Sequence, residues 1–131
     1  MITSAEEFVF LRESDIPDKY RRAANEQASI EVWLDVINRY PEMRQWVAHN
    51  KTIPVEILSI LATDPDKRVR SMVSMKRKLT PEILEVLATD EYEPVRLRVA
   101  QHTRTPRAVL ERLVNDPWEQ VRDAAELRLL A

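Results

Sequence analysis

The fold is decided by residues 80–100, which read TPEILEVLATDEYEPVRLRVA. Apolar residues recur at intervals of three and four, for example at Leu84 and Leu87, which is typical of a helix with one buried face. Thr80 before Pro81 predicts a helix start, with an N-cap oxygen followed by a proline that loses no amide hydrogen bond. Asp90 stands where the pattern breaks before Val95. The stretch therefore predicts two short helices joined by a turn.

The same hairpin occurs three times with a period of 26 residues. Four columns stay in phase across the copies: Asp64, Asp90 and Asp116; Val69, Val95 and Val121; Arg70, Arg96 and Arg122; and the leucine pairs 58/61, 84/87 and 110/113. Fixed periods of this kind indicate a repeat architecture, in which neighbouring hairpins bury the face that one hairpin cannot bury alone. At 105/106 a second Thr-Pro pair predicts a further threonine N-cap.

Weaker copies precede the three clear ones. Asn38, Met43, Arg44 and Val47 fit the columns one period earlier, with a small deletion in the turn after the helix that starts at Ser29. Asp15, Tyr20 and Arg21 repeat the same spacing as a half copy, and the capping box at Ser4 opens a helix over residues 4–13. We predict one domain, 1–131, with a capping helix (1–14), a half repeat (15–28) and four repeats (29–53, 54–79, 80–104 and 105–131).

Composition excludes several functional classes. The chain has no glycine and no cysteine, so phosphate-binding loops, dinucleotide fingerprints and nucleophile elbows are not built in their usual form. The only histidines are His49 and His102, and neither forms a His-x-x-x-His pair. We expect an all-α protein that is not an enzyme and that has no metal site and no cofactor.

The repeated Asp, Val and Arg resemble the signature of HEAT repeats, and the short period with Thr-Pro, Leu-Ala and Val-Arg resembles more closely the variant leucine-rich repeats of bacteria. The resemblance covers about residues 29 to 125. It implies a right-handed α-solenoid of about four and a half hairpins, with helices that are partly of the 3-10 type. It also implies a scaffold that binds partners.

The Asp and Arg columns have a structural interpretation. An Asp can cap the second helix, and the Arg six residues later can bond to the same turn or to the next repeat's turn. This structural ladder comprises Asp64, Arg70, Asp90, Arg96, Asp116 and Arg122.

We predict that the protein is a non-catalytic protein-protein interaction module, such as an adaptor, a regulatory subunit or an antidote. Its contact groove would use the variable positions near the ends of the second helices: Trp46, His49, Asn50, Met75, Lys76, Arg98, Gln101 and His102. Of the three tryptophans, Trp46 lies in a column that becomes polar in the later copies, so it is the best contact candidate.

Charge is uneven along the chain. Residues 1–66 carry 7 Lys and Arg against 12 Asp and Glu, or −5, whereas residues 67–131 carry 13 against 10, or +3. The groove is therefore expected to be acidic in its first half and basic in its second. A nucleic-acid-binding protein that uses the basic half is the alternative, although the isoelectric point near 5.8 is low for that class.

Two further expectations concern setting and assembly. No apolar run is long enough to cross a membrane, and no secretory signal is recognisable at the N-terminus, so a cytoplasmic location is expected. Leu127, Leu129 and Leu130 leave an apolar last turn. The chain is expected to be a monomer or to self-associate weakly through this end.

Overall fold

A computed structural model describes all 131 residues of the chain, which form ten α-helices, one 3-10 turn and no strand. The all-α prediction is confirmed. The elements are α1 (Ala5–Glu13), α2 (Pro17–Asn25), α3 (Ile30–Arg39), a 3-10 turn (Pro41–Met43), α4 (Arg44–His49), α5 (Val55–Leu61), α6 (Lys67–Ser74), α7 (Pro81–Leu87), α8 (Glu93–Gln101), α9 (Arg107–Leu113) and α10 (Glu119–Leu130). None of these helices has the length and apolarity needed to span a bilayer.

The chain divides into two compact units, residues 1–61 (unit 1) and 62–131 (unit 2). The division falls inside the repeat predicted over 54–79. Each unit is described separately, and the prediction of one continuous domain stays a prediction.

Three side-chain N-caps are predicted, at Ser4, Thr80 and Thr105, and the structure confirms the first two. The Ser4 hydroxyl accepts a hydrogen bond from the Glu7 N–H at 3.0 Å, and the Thr80 hydroxyl accepts from the Ile83 N–H at 3.2 Å. The predicted cap at Thr105 is wrong. Its hydroxyl is buried and donates to the Val99 carbonyl at 2.6 Å, and α9 therefore begins one residue later than predicted, with Pro106 as its N-cap residue.

Unit 1 is organised around α1 and α3. Helix α1 packs against α2 and α3, and α3 packs in turn against α4 and α5. The fully buried rings of Phe8 and Trp33 meet edge to face with their centroids 5.2 Å apart. The 3-10 turn before α4 occupies the place where the sequence predicts a deletion. Unit 1 is therefore a helical core with one irregular connection.

Unit 2 is built from stacked hairpins. Helix α8 packs between α6 and α10, while α7 contacts α6 and α8, and α9 contacts α10. The leucine and valine columns are buried, as predicted: Leu84, Leu87, Val95, Leu110, Leu113 and Val121. The second helices of this unit, α6, α8 and α10, are α-helical rather than 3-10.

The Arg column of unit 2 joins successive turns. Nε of Arg70 lies 2.7 Å from the Asp90 carboxylate, and its Nη1 donates to the carbonyl of Asp64 in its own turn at 2.8 Å. Arg96 does the same one period later, with Asp116 at 2.7 Å and the Asp90 carbonyl at 2.7 Å. Each guanidinium therefore bonds both its own turn and the next one.

The Asp residues of this ladder also order their own turns. Oδ1 of each Asp accepts a hydrogen bond from the backbone N–H two residues later, at 2.9 Å after Asp64 and at 2.8 Å after Asp90 and Asp116. Arg122 donates to the Asp116 carbonyl at 2.9 Å. All six residues of the predicted ladder thus make backbone or ion-pair contacts within unit 2.

Candidate functional site

A cavity of about 580 Å³ opens in unit 1 at the C-terminal ends of α1, α2 and α4. Its polar and aromatic lining consists of Arg12, Tyr20, Arg21, Trp46, His49 and Lys51, and the last turn of α2 supplies the rest. Pockets of this size accept several residues of a peptide or a small ligand. The mixture of cations and aromatic rings makes it the best-formed candidate site in the chain.

The backbone around Asn50 shapes this cavity. The Asn50 side chain is fully buried and donates to the carbonyls of Ala23 and Glu26 at 2.8 and 3.0 Å. Its Oδ1 accepts from the Thr52 N–H at 2.8 Å, and the Lys51 N–H donates to the Ala24 carbonyl at 2.8 Å. The loop after α4 is thereby fixed to the C-terminal end of α2, which places Lys51 on the cavity wall.

This geometry changes the role assigned to Asn50. A side chain with no exposed surface that satisfies the last carbonyls of a helix stabilises the fold and does not reach a partner. The prediction that Asn50 contacts a partner is therefore wrong.

Within the lining, Arg12 and His49 both contact the ring of Trp46. The guanidinium carbon of Arg12 lies 3.5 Å from the Trp46 ring centroid, and the His49 ring meets Trp46 edge to face at 5.7 Å. Arg12 makes no ion pair. Because a stacked guanidinium keeps its N–H donors at its edge, Arg12 can still donate to an anion in the cavity.

The charge of the cavity follows from the residue types in its lining. Arg12, Arg21 and Lys51 contribute three cations, and no Asp or Glu lines the space. Arg21 lies 3.3 Å from Asp18, but both side chains are well exposed, at 65% and 91%, so this pair is weak. Lys51 makes no ion pair. The cavity is therefore positive.

The positive cavity lies in the half of the chain that carries a net negative charge. Two carboxylates of unit 1 that lie outside the cavity form ion pairs: Glu6 pairs with Arg39, and Glu26 pairs with Arg22 and, at 3.0 Å, with the terminal ammonium group. The Arg22 hydrogen bond, supported by that ammonium, lowers the pKa of Glu26 to about 2. Net charge counted along the chain does not give the charge of a local surface.

The remaining predicted contact residues lie in unit 2. Met75 is 57% exposed and Gln101 is exposed, while Lys76 and Arg98 are half-buried, Arg98 with a long 3.5 Å contact to the Ser74 hydroxyl. Of the predicted set, the structure brings Trp46 and His49 together in the cavity of unit 1.

His102 has a structural role that the sequence analysis missed. Its Nε2 lies 2.8 Å from the Lys76 carbonyl, and its Nδ1 accepts from the Arg104 N–H at 3.1 Å, so the ring is assigned as the tautomer that donates through Nε2. Arg128 donates to the His102 carbonyl at 2.6 Å. His102 therefore links the loop after α8 to the loop after α6, and Arg128 links α10 to the loop after α8, as Asn50 links the loop after α4 to α2.

Seven of the nine lining residues were not predicted as site residues, and four of these carry a charge or an aromatic ring: Arg12, Tyr20, Arg21 and Lys51. The sequence analysis used Tyr20 and Arg21 only for the repeat spacing, and Arg12 and Lys51 belong to no repeat column. The available signal was weak, since three cations and one tyrosine around short helix ends are usually solvated.

Neither a metal-binding cluster nor similarity to a known protein identifies this site. No three His, Asp or Glu side chains come together as a potential metal-binding group. No protein-family model matches the chain, and searches of curated proteins and of solved structures found no match.

Proposed function

We propose that this protein is a non-catalytic protein-interaction module whose unit 1 cavity receives an acidic segment of another protein. The observation that supports this proposal is a cavity with three cations and no carboxylate in its lining. Opposite charge on a partner increases the association rate and selects against wrong partners.

The aromatic lining supports a protein partner. Trp, Tyr and Arg are the residue types most enriched at the energetic centres of protein interfaces, and here Trp46, Tyr20 and Arg12 line one cavity. Met75 and Gln101 offer a second exposed contact surface on unit 2. Adaptor, regulatory subunit and antidote are the roles compatible with this chemistry.

The proposal also covers the repeat family, the cellular location and the assembly expected from the sequence. The helical hairpins and the ladder from Asp64 to Arg122 favour a HEAT-like or variant leucine-rich repeat protein folded as a right-handed α-solenoid. We further propose a cytoplasmic protein that is monomeric or associates weakly through the apolar side chains of α10, where Leu127 and Leu130 are 71% and 86% exposed.

Nucleic-acid binding is the second candidate. It is favoured by Arg77, Lys78 and Arg104, which are exposed in the loops after α6 and α8 and make no ion pair. The net charge of −2 disfavours it, since nonspecific binding depends on neutralising many phosphates. The test of the leading proposal separates the two.

The test is affinity capture with the tagged full chain from a lysate of the cells that naturally produce it, with and without nuclease. We expect a protein that is retained after nuclease and is lost with the double variant Arg12→Glu, Lys51→Glu. Arg107→Glu is the matched control, because Arg107 is exposed and pairs only with Glu111.

Circular dichroism would verify that each variant is folded. Equal capture by the wild type and by the folded double variant would contradict the role of the cavity. Recovery of nuclease-sensitive nucleic acid in place of a protein would support the second candidate.

A further inference from the structure

We infer that the anion received by the unit 1 cavity is a phosphate group on a side chain of the partner. This inference rests on the proposed function and names the chemistry of its ligand. A phosphorylated side chain carries a charge of about −1.5 to −2 at pH 7 and three strong acceptor oxygens.

Charge balance is the first argument. The cavity holds three cations, and two of them, Arg12 and Lys51, have no carboxylate partner in the folded chain. One carboxylate would leave most of this charge uncompensated, whereas one phosphate monoester would compensate Arg12 and Lys51 together. Three cations that line one cavity without an acidic residue repel one another in the free protein, so a divalent anion gains more than a monovalent one.

The geometry of Arg12 is the second argument. Its guanidinium lies against the Trp46 ring at 3.5 Å, and the ring in turn contacts His49. A guanidinium that already contacts a ring loses less side-chain entropy on binding than one free in solvent, and its fork of N–H groups matches two phosphate oxygens. The cavity therefore has a pre-oriented bidentate donor.

Lys51 supplies a different kind of contact. Its backbone is held by the Ala24 carbonyl and by the neighbouring Asn50 network, while its ammonium is a compact charge with three donors on a flexible stem. Arg12 as a fork and Lys51 as a point charge would together engage the three phosphate oxygens.

The same features favour a single phosphate group over a nucleic-acid chain. Single-stranded nucleic acid is bound by aromatic rings that stack on bases and by a groove that follows the backbone. Here one face of Trp46 is already covered by Arg12. The site is a half-open cavity of about 580 Å³, lined at one place in unit 1, whose size suits a phosphorylated side chain and its neighbours.

The experiment is an NMR titration of the full chain that follows the indole N–H of Trp46, assigned with Trp46→Phe. The probes are inorganic phosphate and succinate at matched ionic strength, followed by three acidic pentapeptides that carry serine, glutamate or phosphoserine at the centre. We expect phosphate to bind about fivefold or more tightly than succinate, and the phosphoserine peptide about tenfold more tightly than the serine peptide.

Variants connect the effect to the cavity. Arg12→Gln and Lys51→Gln should each reduce phosphoserine-peptide affinity about tenfold, because each removes one charge-assisted contact. Arg107→Gln, at an exposed cation outside the cavity, should leave it unchanged. Arg12→Lys keeps the charge but loses the planar fork, and should fall between the wild type and Arg12→Gln.

Two outcomes would overturn the inference and leave the proposed function standing. One is a glutamate peptide or succinate that binds as tightly as its phosphate counterpart and is lost in the same variants, which identifies a carboxylate site. The other is a phosphate effect that persists in both Arg12→Gln and Lys51→Gln. A short single-stranded oligonucleotide that binds the cavity more tightly than the phosphoserine peptide would overturn both the inference and the protein-binding proposal.

Discussion

The Arg residues of the unit 2 ladder and the cations of the unit 1 cavity differ in how their charge is compensated. In unit 2 the guanidiniums of Arg70 and Arg96 are paired with buried carboxylates of the next turn, and their side chains are only 10% and 12% exposed. In unit 1 the cations around the cavity face an open space, and the one ion pair among them, between Arg21 and Asp18, is exposed.

This difference follows from repeat regularity. Where three copies stay in phase, each turn presents an Asp at the place where the preceding Arg reaches, so charge is neutralised within the fold. Unit 1 has a half repeat and a 3-10 turn, and Asn38 stands in the Asp column. Arg21 therefore finds no Asp in the next copy, and Arg12 and Lys51 belong to no repeat column, so the ladder neutralises none of the three cavity cations.

The largest expected effect lies in the core of unit 2. Leu84 is fully buried on α7, which contacts α6 and α8, so Leu84→Ala should lower the free energy of unfolding by about 2 to 5 kcal/mol. Urea denaturation measures this loss, and hydrogen exchange should show faster opening in α6 and α8. Leu127→Ala, at a side chain 71% exposed, is the control. A loss below about 0.5 kcal/mol would refute the stacked-core interpretation.

The second-largest loss of stability should come from breaking the Arg–Asp contacts of unit 2. The Asp116 side chain is 5% exposed and bonds Arg96, so Asp116→Asn leaves a nearly buried guanidinium without its counter-charge. We expect a loss of about 2 to 4 kcal/mol at pH 7 in urea denaturation. Asp18→Asn, at the exposed pair of unit 1, should produce no measurable change.

The pH dependence of stability tests the same ion pair. Burial raises the pKa of the Asp116 carboxyl, but the Arg96 hydrogen bonds and the Trp118 N–H outweigh burial, and the net pKa is lowered from 3.8. A carboxyl with a lowered folded-state pKa contributes stability above its unfolded value and loses it as the pH falls through the folded value. The gap between wild type and Asp116→Asn should therefore persist down to about pH 4 and shrink below it. A gap that stays constant to pH 2 would contradict the ion-pair explanation.

Much of the fold was predictable because it depends on local chemistry and strict spacing. The Ser4 and Thr80 caps and the buried leucine columns follow from residue type and position. The sequence left two choices for each ladder Arg, its own turn or the next. The structure shows both for Arg70 and Arg96, because one guanidinium has enough donors for a carbonyl and a carboxylate, whereas Arg122 bonds only its own turn.

The site was less predictable because it depends on contacts between distant loops. Positions 50 and 102 differ in residue type and were interpreted as variable contact positions. In the structure both side chains donate to backbone carbonyls about one repeat earlier, Asn50 to that of Ala23 and His102 to that of Lys76. Arg12 and Lys51 line one cavity only because α1 and the loop after α4 come together in the fold, and no sequence period marks that approach.

Asn50 tests whether the fold of unit 1 supports the cavity. Asn50→Ala removes the donors to the Ala23 and Glu26 carbonyls and the acceptor of the Thr52 N–H, so it should lower stability by about 1 to 3 kcal/mol. Hydrogen exchange at Lys51 and Thr52 should accelerate with it. Asn38→Ala, at an exposed position, is the matched control. Unchanged exchange at both amides would contradict the role of Asn50 in fixing this loop.

The smallest effect should come from the cavity cations. Lys51 has no carboxylate partner and stands near Arg12 and Arg21, so Lys51→Gln removes repulsion and no folding contact. Stability should stay the same or rise by up to about 0.5 kcal/mol at low salt, and the gain should vanish near 1 M salt because screening removes the repulsion. Urea denaturation at both salt concentrations measures it, with Arg107→Gln, which breaks the exposed pair with Glu111, as the control that should show no gain. A loss above about 1 kcal/mol would mean that Lys51 stabilises the fold. The contrast between the paired Arg residues of the unit 2 ladder and the cavity cations of unit 1 would then not hold for Lys51.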